Sequence, residues 1–126
     1  MFKNLEMFQT SYAMARHAGA RQATTAANMA NADTPGYRAR AIDSFRDTYV
    51  DGSSNLRATR TGHLGMDATA SPPTPHFADA ESSPNGNSVS IEQEMVNSIE
   101  IQREHSRALA IYKHSLDILR MSIGRR

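Results

Sequence analysis

Between Leu5 and Met29, apolar and small residues, interrupted by polar Gln22, recur at alternating intervals of three and four: Leu5, Phe8, Tyr12, Ala15, Gly19, Gln22, Ala26 and Met29. This spacing lines one stripe of a helix and predicts an a/d seam, the pattern of helices that pair. The stripe is large at its ends and small in its middle, where Gly19 and neighbouring alanines would let a second helix approach closely. The same spacing also fits an amphipathic helix lying on an ordinary core.

A second stripe runs Ile91, Met95, Ser98, Gln102, His105, Leu109, Tyr112, Leu116, Leu119 and Ile123, broadened by Val96, Ile99, Ile111 and Ile118. It opens with start signals. Asn87 and Ser88 are cap candidates, and Ser90 with Gln93 has capping-box spacing. Glu92 and Glu94 near the start, and Arg120, Arg125 and Arg126 near the end, complement the helix dipole, with Gly124 as a stop. A helix over 88–124 would reach ~55 Å at ~1.5 Å per residue, long for a 13.9 kDa chain.

Neither helix has enough large residues to stand alone. Backbone ordering costs ~1–2 kcal/mol per residue. Only Leu5, Phe8, Tyr12 and Met29 are large in the first stripe, at ~1.5–3 kcal/mol each when buried. Each helix is expected to need the other, and neighbouring chains as well.

Helix breakers divide the chain into three parts of one domain: a first helix over 1–31, a turn and flexible middle over 32–87, and a second helix over 88–126. All 5 prolines fall in the middle part. Thr34-Pro35-Gly36-Tyr37 reads as a type II turn, with Pro fixing φ at the second position and Gly supplying φ > 0 at the third. Ile42, Phe45 and Tyr49 are spaced for a short helix, although nearby alternation also suits a strand. A strand is expected within 57–64, and an extended or mobile loop over 68–86. The predicted fold is mainly α: long N- and C-terminal helices paired as a coiled-coil-like hairpin, with a short irregular, β-containing middle.

Charge and composition remove several classes of function. With 14 Lys+Arg against 13 Asp+Glu, there is no basic field for nucleic acid. The absence of cysteine rules out disulfides, thiolate catalysis and Cys-ligated metal. The longest apolar run, Ala108 to Tyr112, is far below the ~18–20 residues of a membrane span. No apolar stretch of a cleaved secretory signal follows Met1-Phe2-Lys3-Asn4-Leu5-Glu6, so any export would be uncleaved and by another route.

Chemistry fares no better. The 5 histidines lack the i, i+4 zinc spacing, and none lies three residues beyond Glu92, Glu94, Glu100 or Glu104. Gly62 and Gly65 fit no phosphate loop, and no serine sits in a nucleophile elbow. Arg38, Arg40, Arg46, Arg57 and Arg60 are interleaved with Asp43 and Asp47, which reads as a solvated face or an interface ion pair. No enzyme activity, cofactor, metal or catalytic residue is expected.

One segment says more. Asn28-Met29-Ala30-Asn31-Ala32-Asp33-Thr34-Pro35-Gly36-Tyr37-Arg38-Ala39 closely resembles the signature of bacterial flagellar rod and hook proteins, in which an Asn-x-x-Asn pair ends the first helix before a Thr-x-Gly-Tyr turn. Asn28 and Asn31 can bond freed helix-end carbonyls or turn amides. Gly86-Asn87-Ser88-Val89 with Glu92-Gln93-Glu94-Met95-Val96 resembles the start of that family's second helix. The middle part is short compared with hook and distal rod relatives, which points to the proximal rod.

The resemblance implies a structural subunit of the basal-body rod, assembled helically through its terminal helices into part of the drive shaft for motility. Asn28, Asn31, Thr34, Pro35, Gly36 and Tyr37 would set the exit from the first helix. Leu5, Phe8, Tyr12, Met95, Leu109, Tyr112, Leu116, Leu119 and Ile123 would form the helical core and assembly interface. Implied partners are copies of itself, neighbouring rod subunits, adapter and membrane-ring proteins, and the flagellar type III export apparatus. The implied location is the periplasmic rod of the basal body, reached without a cleaved signal peptide. Two alternatives are the other short proximal rod subunit and a cytoplasmic helical-hairpin module that binds a partner helix.

Overall fold

The computed structural model describes residues 2–48 and 73–124, with side chains from residue 6 onward. Helix α1 spans Phe2–Ala30 and helix α2 spans Ile91–Ile123. They run antiparallel, since Phe8 meets Tyr112 at one end while Asn28 meets Glu94 at the other. Between them a two-residue strand β1 (Arg40–Ala41) pairs antiparallel with β2 (His76–Phe77), Arg40 opposite Phe77 and Ala41 opposite His76. The mainly helical hairpin with a small β-containing middle is therefore as expected.

Helix α2 starts where the sequence signals place it. Ser90 is its N-cap, accepting from the Gln93 amide at 3.4 Å. The Gln93 side chain turns to Asn97 rather than back to Ser90, so the capping box is only half made. At the far end the Gly124 amide donates to the Arg120 carbonyl at 2.7 Å. Helix α1 has no acid in its first turn and no base in its last, so charge does not support either end.

The interior of the pair differs from the one expected. Ser11, Ala18 and Thr25 of α1 are buried, as are Glu94, Ile101, Ala108 and Ser115 of α2. Within each set the spacing is seven residues, so this is a heptad seam, but it lies beside the predicted stripes. Ile101 is its one large aliphatic member, 2% exposed. Small side chains allow close approach, and the buried hydroxyls need no outside partner. Ser11 donates to the Phe8 carbonyl and Ser115 to the Ile111 carbonyl of their own helices.

The residues expected to form the core lie on the flank of that seam. Tyr12 is 62% exposed, and Met95, Leu109, Tyr112 and Ile123 are exposed too. Phe8, Leu116 and Leu119 are half-buried, while the Leu5 side chain lies outside the described residues. Sequence hydrophobicity placed the core on this flank because it contains the largest residues. Packing instead placed mostly small residues between the helices.

Both flanking stripes face the same side of the hairpin. The Phe8 and Tyr112 rings meet edge-on at 5.3 Å, and Gln22 Nε2 donates to Ser98 Oγ at 3.3 Å. A shallow apolar groove lined by Ser11, Tyr12, Ala15, Ala108, Leu109 and Tyr112 runs between them. The opposite side is covered by the middle part, through His17 on Phe45 and Asn28 on Arg40. Residues 17 and 19, or 26 and 28, are about 200° apart around a helix, which is why one flank is covered and the other bare.

Residues 45–48 are helical, as one of the two expectations for that stretch had it. Ser44 Oγ accepts from the Asp47 amide there at 3.3 Å. Tyr49, the expected strand within 57–64 and the first part of the 68–86 loop lie outside the described residues. The remainder of that loop contains β2 and a turn closed by the Gly86 amide on the Ser83 carbonyl.

Candidate functional site

The end of α1, the following turn and the lead-in to α2 form a single polar joint. Asn28, only 1% exposed, sits at its centre. Its amide donates to the Arg40 carbonyl at 2.7 Å and to Glu94 Oε1 at 3.0 Å, while its Oδ1 accepts from the Arg40 amide at 3.0 Å. One side chain thus pairs both polar groups of a β1 residue, as a neighbouring strand would. The Tyr37 hydroxyl reaches the same Oδ1 at 3.4 Å.

Asn31 finishes the helix. Its Nδ2 donates to the Ala27 carbonyl at 2.8 Å, and its Oδ1 accepts from Thr34 Oγ1 at 3.3 Å. The Tyr37 amide then donates to the Thr34 carbonyl at 3.3 Å, closing the turn around Pro35 and Gly36. Gly36 has φ +73°, the left-handed value that the third position of a type II turn demands.

Asn87 locks this turn from the other side of the chain. Its Nδ2 lies 2.9 Å from the Asn31 carbonyl, 2.7 Å from that of Ala32 and 2.8 Å from that of Thr34. Its Oδ1 accepts from the Val89 amide at 2.7 Å. Ser88 adds two more links, its amide to the Tyr37 carbonyl and its Oγ to the Ala39 amide at 2.9 Å. The last carbonyls of α1 are met locally, those of Ala27 and Asn28 by the Asn31 amide and that of Met29 by the Ala32 amide, and one distant asparagine gathers the carbonyls of the turn beyond them.

All six residues of the expected turn motif therefore belong to this joint. Asn28, Asn31, Thr34, Gly36 and Tyr37 are bonded into it, and Pro35 stands exposed at its tip. Sequence reasoning missed three members: Asn87 and Ser88 were read as cap candidates for α2, and Glu94 only as a first-turn acid. Glu94 does lie in the first turn of α2, but it is buried there, with Oε2 lacking a hydrogen-bond partner. The adjacency of Gly86 and Asn87 signalled a turn but not whose carbonyls the asparagine would reach.

Arg38 stacks over the Phe77 ring at 4.3 Å, so this part of the basic run packs on an aromatic surface. Half-buried Arg21 pairs with Glu104 at 2.7 Å across the two helices. Among the described residues, no three His, Asp or Glu side chains gather as metal ligands do, and no helix is long and apolar enough to cross a membrane.

Residues 13–38 match the family model described as flagella basal body rod protein. No curated protein matches the chain. The matched span runs from the middle of α1 through Asn28, Asn31 and the Gly36 turn, the first half of the joint, while Arg40, Asn87, Ser88 and Glu94 lie outside it. Over that segment the chain is similar to the flagellar basal-body rod family.

Proposed function

We propose that the chain is a non-catalytic structural subunit of the proximal rod, similar to the proximal rod protein FlgB, assembling with copies of itself and with neighbouring rod subunits. The observation that carries this reading is the inverted hairpin. Its interior is small and polar, whereas Tyr12, Met95, Ile99, Leu109, Tyr112 and Ile123 remain exposed. Large apolar surface on a small chain marks an interaction site. A head-to-tail interface that does not close gives a helical filament. The bare flank supplies apolar area for such contacts, and the joint fixes how the middle part leaves the helix pair. Export through the flagellar type III system and assembly in the periplasm, against adapter and membrane-ring proteins, belong to the same proposal.

Purified basal bodies provide the test. Cells lacking the chain should be non-motile and carry membrane rings without a complete rod, and an epitope-tagged copy should co-purify at the rod base. Complete rods in the deletion, or a tagged chain recovered only as a soluble cytoplasmic monomer or dimer, would favour the helical-hairpin binding module instead.

A further inference from the structure

His17 is 4% exposed, yet neither ring nitrogen has a hydrogen-bond partner. A neutral imidazole carries one donor and one acceptor, and an imidazolium carries two donors. Buried polar groups are nearly always paired, so this ring calls for an explanation. It lies where three elements meet. The Phe45 ring packs edge-on against it, with centroids 5.6 Å apart and planes at 71°. Arg21 faces it from α1, Glu104 from α2 and Asp43 from the segment leading into 45–48. Neither carboxylate is hydrogen bonded to the ring: Glu104 Oε2 lies 2.7 Å from Arg21 Nη1, and exposed Asp43 Oδ1 lies 3.8 Å from exposed His76 Nε2.

We propose that His17 is a proton-triggered release for the 42–48 segment: the neutral ring seats Phe45 against the helix pair, and the protonated ring expels it. A proton on His17 would leave two ring donors with no hydrogen-bond partner in place, so the buried cation gains one only if its surroundings, the Phe45 ring among them, move aside. Burial first, and then the Arg21 charge, hold the ring below its ordinary value of 6.5, with Glu104 and Asp43 opposing them. The sign follows from linkage. The undocked state binds the proton more readily, so docking is at full strength above about 6.5 and weakens as pH falls toward the lowered value. Acid therefore loosens the covered flank while the Asn28 joint, which has no histidine in it, holds.

NMR of the full chain between about pH 7.5 and 5 reads both halves of this idea. At the upper end, Phe45 and His17 ring protons should show mutual cross-relaxation. On acidification that signal should vanish and the Phe45 resonances should move to solvent-exposed positions, while the Arg40 amide stays protected. In His17→Leu the Phe45 resonances should not move, and His76→Asn should behave as the parent does. An equal Phe45 shift in His17→Leu, or no shift in the parent, would overturn the proposal, as would the absence of the ring contact at the upper pH. Should His17→Leu fail to fold, titration of the His17 ring in the parent decides. A midpoint below that of a free imidazole supports the device, and one at or above it overturns it.

Discussion

Gly36 and Gly86 stand back to back, so close that a Cβ on Gly86 would come 3.2 Å from the Gly36 Cα. Both have positive φ, +73° and +80°, and the Gly36 amide donates to the Asn85 carbonyl at 3.1 Å. The two turns on either side of the joint are therefore one tight unit, and neither can gain a side chain without moving the other or straining itself.

Gly86→Ala should destabilise the hairpin by about 1–3 kcal/mol, since it adds left-handed strain to a backbone clash. Gly36→Val has open space around its Cβ, so its penalty is conformational alone. It should leave synthesis intact but prevent rod assembly by misdirecting the exit from α1. Urea midpoints give the first result and motility with basal-body images the second. Normal rods in Gly36→Val would refute this account of the turn.

Asn87→Ala strips a donor from three carbonyls of the turn after α1 and an acceptor from the Val89 amide. A loss of about 2–3 kcal/mol is expected, at the upper end for buried groups left unpaired. Asn87→Asp keeps the acceptor but removes the donor, so it should recover little of that loss. Recovery of parental stability by aspartate would mean that the Val89 bond, not the carbonyl cluster, matters.

Ile101→Ala should cost about 2–5 kcal/mol, as for other large-to-small core changes. Because most of its buried neighbours are small or polar, there is little apolar material to collapse into the space. Ala108→Leu should cost about 1–3 kcal/mol by wedging the helices apart. Thermal unfolding of the two variants would show whether the seam is as thin as its residues imply.

Tyr12→Ser combined with Leu109→Gln alters the bare flank and no buried position. Its circular dichroism and urea midpoint should stay within about 0.5 kcal/mol of the parent, the usual range for surface changes. Rod assembly should nevertheless fail. Retained assembly would show that this flank is not the contact between subunits.

Much of the architecture could be read from the chain because its signals are local. Ser90 caps α2, and Pro35 with Gly36 reverses the chain after α1, each by short-range geometry that residue type dictates. The pairing face could not be read in the same way. A heptad of Ser11, Ala18 and Thr25 looks weak beside one holding Phe8, Tyr12 and Met29, and size favoured the wrong neighbour. What decides the matter is how closely two backbones approach, and no single stripe records that. Asn87 was hidden for a related reason: its carbonyl partners are fixed only once the two ends of the chain have met.

Those partners lie 53 to 56 residues back along the chain, and Asn28 lies 66 residues from Glu94. Closing such a loop carries an entropic penalty before any bond rewards it, and contacts of long sequence separation form slowly. The turns of the first helix are local, but the joint at its end waits for the second. A chain threaded through a narrow conduit N-terminus first would keep that helix unfinished until Asn87 and Glu94 emerged. The last third of the sequence then sets the moment at which the first third becomes rigid.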